Sequence, residues 1–237
     1  MGYSNSPLIS GKVDFGAKKS NPRKSKTYNP SGNISKITVH HMAGKMDPAD
    51  CAKMHLNGSR SASANYYIGN DGKIILGVAE ERRAWTSSSP ANDYIAITIE
   101  VANSQNADPW PVSDAAYKSL IELCTDICVR NGIEKLNFTG DKNGNLTMHK
   151  YFAKTACPGP YLEERFPDIA KKVNANLSAG QIVISPEPAP KYYIVKKGDT
   201  LSKIGLICGI TLAKIRELNP MIKDLNKIFV GQKVRIK

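Results

Sequence analysis

Short β-branched runs alternate with longer stretches of helical spacing along most of this chain. Ile37-Thr38-Val39-His40-His41 closes one such run and reads as a buried strand, and Ala96-Ile97-Thr98-Ile99-Glu100-Val101-Ala102 reads as another. Alternation sends Ile37, Val39 and His41 to one face of the first and Thr38 and His40 to the other. In the second it divides Ile97, Ile99 and Val101 from Thr98 and Glu100. Gly69-Asn70-Asp71-Gly72 between Tyr66-Tyr67-Ile68 and Ile74-Ile75-Leu76 predicts a hairpin, and Asp141-Lys142-Asn143-Gly144-Asn145 predicts a second. The latter fails as a calcium loop, because its glycine is misplaced and its twelfth position is Phe152. Leu120, Ile121, Leu123, Ile127 and Val129 give residues 117–129 a helical stripe, and residues 161–177 form a second amphipathic stretch.

A change of texture follows. Ser185-Pro186-Glu187-Pro188-Ala189-Pro190 predicts an extended, semi-rigid spacer within residues 178–191. Beyond it, Tyr192 to Val195 reads as a strand, Gly198-Asp199 as a turn, Thr200 as the cap of a helix, Leu212 to Leu218 as a second helix ended by Asn219-Pro220, and Ile228 to Ile236 as a closing strand. The order is βααβ. The division expected is therefore an N-terminal arm (1–30), a main domain (31–177), a spacer (178–191) and a small domain (192–237).

Composition sharpens this picture. The chain has 237 residues, 41% of them hydrophobic, enough for one to two domains with a sizeable core. No apolar run approaches the ~20 residues that cross a bilayer, so membrane insertion is not expected. The start, Met1-Gly2-Tyr3-Ser4-Asn5-Ser6, lacks the apolar segment of a secretory signal, so synthesis in the cytoplasm and action after release are expected. Ser, Asn, Lys, Gly and Pro in the first thirty residues favour a loosely ordered arm, with Leu8-Ile9 and Val13 to Phe15 able to dock. Five cysteines, an odd count, do not suit a complete disulfide framework; Cys124 and Cys128 share a buried helical stripe, and Cys51 and Cys208 read as packing residues. The net charge is +12, and residues 191–237 hold eleven Lys or Arg against three Asp or Glu. Without an arginine-clustered helix or an aromatic platform, an anionic polymer surface fits better than nucleic acid.

The chemistry concentrates at His149-Lys150-Tyr151-Phe152-Ala153-Lys154-Thr155-Ala156-Cys157-Pro158-Gly159. A histidine and a cysteine there, with an imidazole from His40 or His41, supply the nitrogen and sulfur donors that zinc prefers. Three protein donors would leave a fourth position open, as in a catalytic site. Adjacent strand residues face opposite ways, so only one of His40 and His41 can reach a shared metal; alternation groups His40 with Thr38, away from the apolar face. Glu100 likewise points off the apolar face.

The order strand-His-His, Ile97-Thr98-Ile99-Glu100, then His-x7-Cys-Pro-Gly resembles the type 2 N-acetylmuramoyl-L-alanine amidases, the superfamily that includes the peptidoglycan recognition proteins. Ser63-Ala64-Asn65-Tyr66-Tyr67-Ile68, Asp71-Gly72 and Arg83-Ala84-Trp85 also match, and the likeness runs from about Asn33 to Leu177. It implies an α/β fold, a mixed central β-sheet flanked by helices with zinc at one strand-end cleft, held by His40, His149 and Cys157. It also implies Glu100 as general base toward a zinc-activated water, and Thr155 in the place of a lysine or threonine near the metal. Tyr66 and Trp85 are implied substrate contacts, with the choice between Tyr66 and Tyr67 open. The tail resembles a LysM module, implying a groove for N-acetylglucosamine-containing glycan at Gly198, Asp199, Thr200, Leu201 and Ile228. Together these imply an endolysin cutting between N-acetylmuramic acid and L-alanine of peptidoglycan, acting as a monomer. The alternatives are a host autolysin, a non-catalytic wall-binding protein, and a nucleic-acid binder whose DNA affinity would exceed its affinity for wall.

Overall fold

The structure, a computed structural model, describes residues 3–180 and 192–236 apart from 197, 209, 220, 223 and 226. Most of the Pro-rich spacer lies outside the described residues. Contacts divide the chain into two compact units, Met1–Ile184 and Ser185–Lys237.

In the first unit the chain runs β1 (Gly11–Lys12), β2 (Ser20–Pro22), β3 (Lys36–His41), α1 (Pro48–Asn57), β4 (Tyr66–Ile68), β5 (Ile74–Leu76), β6 (Arg82–Ala84), α2 (Pro90–Asp93), β7 (Ala96–Val101), α3 (Asp114–Asn131), β8 (Leu146–Met148), α4 (Pro160–Glu163) and α5 (Phe166–Ser178). Six strands form one mixed sheet in the order β1-β5-β4-β7-β3-β8. Only β4 and β5 pair antiparallel, across the expected Gly69–Gly72 turn. Every residue of β7 is buried, as a central strand covered on both faces must be.

The alternation predicted for β3 and β7 decides what covers each face. Ile37, Val39, Ile97, Ile99 and Val101 join Leu120, Leu123, Ile127, Ile169 and Val173 of α3 and α5 in the larger core. The opposite face meets α1, where Cys51 and Ala52 pack with Tyr67, Ile75 and Phe15. Helix α1 begins where Asp47 accepts hydrogen bonds from the amides of Ala49 and Asp50, with Pro48 in its first turn. Helix α3 starts on Ser113, which accepts from the amide of Ala116, and ends at Gly132, whose φ of 66° lets its amide reach the carbonyls of Cys128 and Val129. Cys124 and Cys128 are buried in its stripe, as predicted.

Three expectations change. The first thirty residues are not a loose arm: β1 adds to the sheet edge beside β5, β2 pairs with β6, and Phe15 is buried. Arg23 is fully buried, and its guanidinium donates to the carbonyls of Glu80 (2.5 Å), Arg82 (2.9 Å), Ala96 (3.0 Å), Tyr94 (3.1 Å) and Asp93 (3.4 Å). Burial lowers its pKa to about 10. Composition missed this because one buried arginine with five carbonyl acceptors anchors a polar segment that no apolar pattern marks. The second amphipathic stretch is two helices, α4 and α5, parted at residues 164–165. The Asp141–Asn145 turn leads from irregular chain into β8 and so joins no pair of strands.

The second unit carries β9 (Tyr192–Ile194), α6 (Leu201–Cys208), α7 (Leu212–Leu218) and β10 (Lys233–Arg235). The order is βααβ as read, with β9 and β10 antiparallel over a core of Val195, Leu201, Ile204, Ile215 and Val234. The closing strand is shorter than predicted, because residues 229–232 form a turn in which the Gln232 amide donates to the Phe229 carbonyl.

Candidate active site

Three neighbouring strands end alike: Thr38-Val39-His40 on β3, Thr98-Ile99-Glu100 on β7, and Thr147-Met148-His149 at the end of β8. In register, Thr38 lies between Thr98 and Thr147, and His40 lies beside Glu100. The three threonines are fully buried on the face opposite the larger core. Thr38 and Thr147 hydroxyls meet at 3.0 Å, Asn92 donates to Thr38 Oγ1 at 2.9 Å, and Thr86 donates to Thr98 Oγ1 at 2.8 Å. The threonine hydroxyls thus find partners within a polar floor, and two residues further along each strand stands a titratable side chain at the sheet's end.

His40, His149 and Cys157 offer three donor atoms that lie within 4.8 Å of one another. The Cys157 sulfur is 3.6 Å from His40 Nδ1, and the two imidazole centroids are 4.7 Å apart. His40 Nε2 and His149 Nε2 are buried without a hydrogen-bond partner among the described residues. Burial, then the neighbouring histidines, drives the His40 pKa well down, and burial lowers that of His149. Burial and nearby Glu100 push the Cys157 thiol up, against a hydrogen bond from the His41 backbone amide. Two neutral imidazoles and a thiol, close together and short of partners, are the donor set that Zn²⁺ takes, so the residues fit that ion.

Glu100 is buried, and its Oε2 has no partner among the described residues. Desolvation lifts its pKa to about 8, with Arg60 pulling weakly the other way. A carboxyl kept close to neutral pH beside a donor triad is suited to exchanging a proton. His41 falls on the opposite face, edge-on to Trp110 at 5.5 Å, with its pKa lowered to about 4 mainly by burial. His40, and not His41, is therefore the one that lies together with His149 and Cys157.

Thr155 stands two residues from Cys157 and accepts its amide at 3.2 Å. Trp85 lines a groove of about 500 Å³ that also includes Arg60, Arg83, Thr86 and His149. Its indole Nε1 donates to Asn21 Oδ1 at 2.7 Å, so the N-terminal segment holds this wall in place. Tyr66 is corrected: it pairs with Ile99 on the core face, and its hydroxyl donates to Glu80 and accepts the Ser6 amide, so it is no cleft residue. Tyr67 pairs with Glu100 and sits on the site's face, fully buried.

In the second unit the predicted glycan contacts are partly occupied by folding. Asp199 accepts from the Lys196 amide and the Tyr193 hydroxyl, and Thr200 accepts from the Lys203 amide at the start of α6. Leu201 is in the core and Ile228 packs against it, so neither is a free apolar contact; Gly198 is exposed with φ of 85°.

Sequence reasoning missed the polar floor, although the repeated Thr-x-His and Thr-x-Glu spacing marked it. It also missed that α1, which Asp47-Pro48 marks as a helix start, brings Cys51 and His55 to this face.

A profile of the family described as N-acetylmuramoyl-L-alanine amidase matches residues 30–160, and one of the LysM domain matches residues 193–237. N-acetylmuramoyl-L-alanine amidase XlyB of Bacillus subtilis (strain 168) is 25% identical over 205 residues, 84% of this chain and 61% of that protein. XlyA of the same organism is 25% identical over 200 residues, 83% of this chain and 59% of that protein. The chain thus spans about 60% of the length of these curated relatives. Among solved structures, N-acetylmuramoyl-L-alanine amidase LysC from Clostridium intestinale URNW superposes with a TM-score of 0.51 at 23% identity, covering 73% of this chain and 99% of its own, which shows a shared fold. With the profile spanning more than half its length, and with a C-terminal LysM domain, this chain belongs to the N-acetylmuramoyl-L-alanine amidase family.

Proposed function

We propose that the chain hydrolyses the amide bond between the lactyl group of N-acetylmuramic acid and L-alanine of the peptidoglycan stem peptide, with zinc held by His40, His149 and Cys157. The observation that carries this reading is the meeting, at one strand-end cleft, of a nitrogen, nitrogen and sulfur donor set with a buried carboxyl that has no hydrogen-bond partner among the described residues. Zinc bound there supplies Lewis acidity, which lowers the pKa of a water and polarises an acyl oxygen.

Glu100 serves as general base and returns the proton to the departing amine, a role suited to a buried carboxyl beside the donor set whose Oε2 has no partner among the described residues. Thr155 accepts the Cys157 amide, and its own hydroxyl hydrogen, which has no acceptor among the described residues, is offered to the acyl oxygen. A hydroxyl supplies no positive charge, which leaves more of the stabilisation to the metal. Trp85 offers an apolar face along the groove. We assign hydrolysis to a domain over residues 31–177 that incorporates 1–30, with 178–191 as spacer and 192–237 as a wall anchor. That anchor takes N-acetylglucosamine-containing glycan at the loop around exposed Gly198, and the excess of basic residues favours an anionic wall. The whole acts as a monomeric endolysin; among the described residues no helix is long and apolar enough to cross a membrane.

Purified protein incubated with Gram-positive sacculi is expected to release new alanine amino termini, and a chelator is expected to stop it. New reducing sugar ends instead would make the enzyme a glycosidase, and bound but uncut sacculi would leave a wall-binding protein.

A further inference from the structure

Helix α1 lies over the face of the sheet that carries His40, Glu100 and Tyr67. It places Cys51, whose thiol pKa is raised by burial and then by Glu100, near that carboxyl, and one turn later it presents His55. Of the chain's four histidines, His40 and His149 belong to the donor set, His41 packs on Trp110, and His55 is the fourth. Its Nδ1 lies 2.9 Å from the Tyr67 hydroxyl, with the two rings edge to face at 5.6 Å. The same hydroxyl accepts the Ala64 amide at 2.9 Å.

That pair of contacts fixes the imidazole's tautomer. A buried phenol has one hydrogen to place, and among the described residues His55 Nδ1 is the acceptor within its reach. Were Nδ1 to carry the proton instead, the Tyr67 oxygen would accept twice and its own hydrogen would be buried unpaired, which is unfavourable. The hydrogen of His55 therefore sits on Nε2, which has no protein partner among the described residues, on a side chain that is half-buried. His55 is near enough to His40 to lower that imidazole's pKa. Its own pKa is held near 4 by burial and by the charges of Arg60 and Lys19, so the ring stays neutral at working pH.

We infer that His55, on the sheet face that carries His40 and Glu100, presents a tautomer-locked Nε2–H as a hydrogen-bond donor to a carbonyl oxygen of the bound amide substrate, with Tyr67 as its positioning residue. This assignment rests on the proposed amidase reading. It gives the site a second neutral donor beside Thr155, where a lysine is missing. The carbonyl the donor meets belongs to the chain class already assigned, an N-acylmuramoyl peptide.

Two measurements test it. Long-range ¹H–¹⁵N spectra of the metal-free protein at pH 7 are expected to show the Nε2–H form of His55 in the wild type and a mixture of tautomers in Tyr67→Phe. Addition of N-acetylmuramoyl-L-alanyl-D-isoglutamine is expected to shift the His55 Nε2 resonance. On sacculi, His55→Leu is expected to lose roughly tenfold in kcat/KM, the worth of one neutral hydrogen bond, with zinc content unchanged. His55→Gln, whose amide can reach the same place, is expected to recover most of that loss. An Nδ1–H tautomer in the wild type, an Nε2 resonance indifferent to the muropeptide, or equal losses in the Leu and Gln variants would overturn the inference. If wild-type protein releases no alanine termini, the amidase reading fails, and the spectra and titration still decide whether His55 is a donor.

Discussion

Replacing Glu100 by Gln is expected to stabilise the metal-free fold while removing activity, and the size of the gain can be worked out. The carboxyl has a pKa of about 8 in the fold, and its Oε2 has no partner among the described residues. In an unfolded chain a glutamate titrates near 4.3, so between about pH 4.3 and pH 8 the unfolded state sheds a proton that the folded state keeps. Folding stability from this group therefore falls as pH rises through that window. Between pH 5 and pH 7 the loss integrates to about 2.5 kcal/mol, and water penetration trims it to between ~1 and ~2.5 kcal/mol. A glutamine in this place does not titrate, so the stability difference between variant and wild type should widen by that amount between pH 5 and pH 7. Other titrating groups are common to both proteins and cancel. Urea unfolding in chelator, followed by tryptophan fluorescence, isolates the relevant unit, because Trp85 and Trp110 are the chain's two tryptophans and both lie in the first unit. A difference that stays constant with pH within ~0.5 kcal/mol would refute the claim that desolvation of an unpaired carboxyl tunes this site. Alanine release by E100Q should meanwhile fall by at least ~10²-fold.

Other outcomes follow from named contacts. Cys157→Ser and His149→Ala should each leave purified protein with well under one equivalent of zinc and without alanine release; retention of a full equivalent by either variant would exclude it as a ligand position. Arg23→Met would strand the five carbonyls that its guanidinium serves and should cost about 3 kcal/mol or more in the same urea assay. Thr38→Val removes the bonds to Thr147 and Asn92 beneath His40 and should cost about 1–2 kcal/mol, read from the shift in unfolding midpoint. Retention on sacculi by the basic second unit should weaken as sodium chloride rises from ~0.05 to ~0.5 M, whereas salt-independent retention would refute an electrostatic share in wall binding.

Much of the site was legible because its residues sit where simple periods speak. Period-two alternation on β3 and β7 separated His40 and Glu100 from Ile37, Val39, Ile97 and Ile99, and the sheet register then set them side by side. His-x7-Cys holds two donors within one short segment, so their chemistry reads without a fold. Gly-Asn-Asp-Gly marked its hairpin because the turn conformation selects those residues. Tyr66 and Tyr67 show the limit: alternation says that they face opposite ways, but not which way, and only pairing with Ile99 and Glu100 assigns Tyr67 to the site.

What the sequence determined by itself, then, is each residue's chemistry, the faces of its longer strands, the βααβ order of the tail and the family likeness. The tertiary structure alone decided what those faces meet. It brought His40 to within 4.8 Å of His149 and Cys157, over a hundred residues further along the chain, and stripped Glu100 of solvent. It also buried Arg23 among carbonyls from distant segments, and set His55 against Tyr67. Donor proximity, desolvation and hydrogen-bond partnership depend on distance in space, and a linear chain carries distance only along itself until the sheet brings its strands into register.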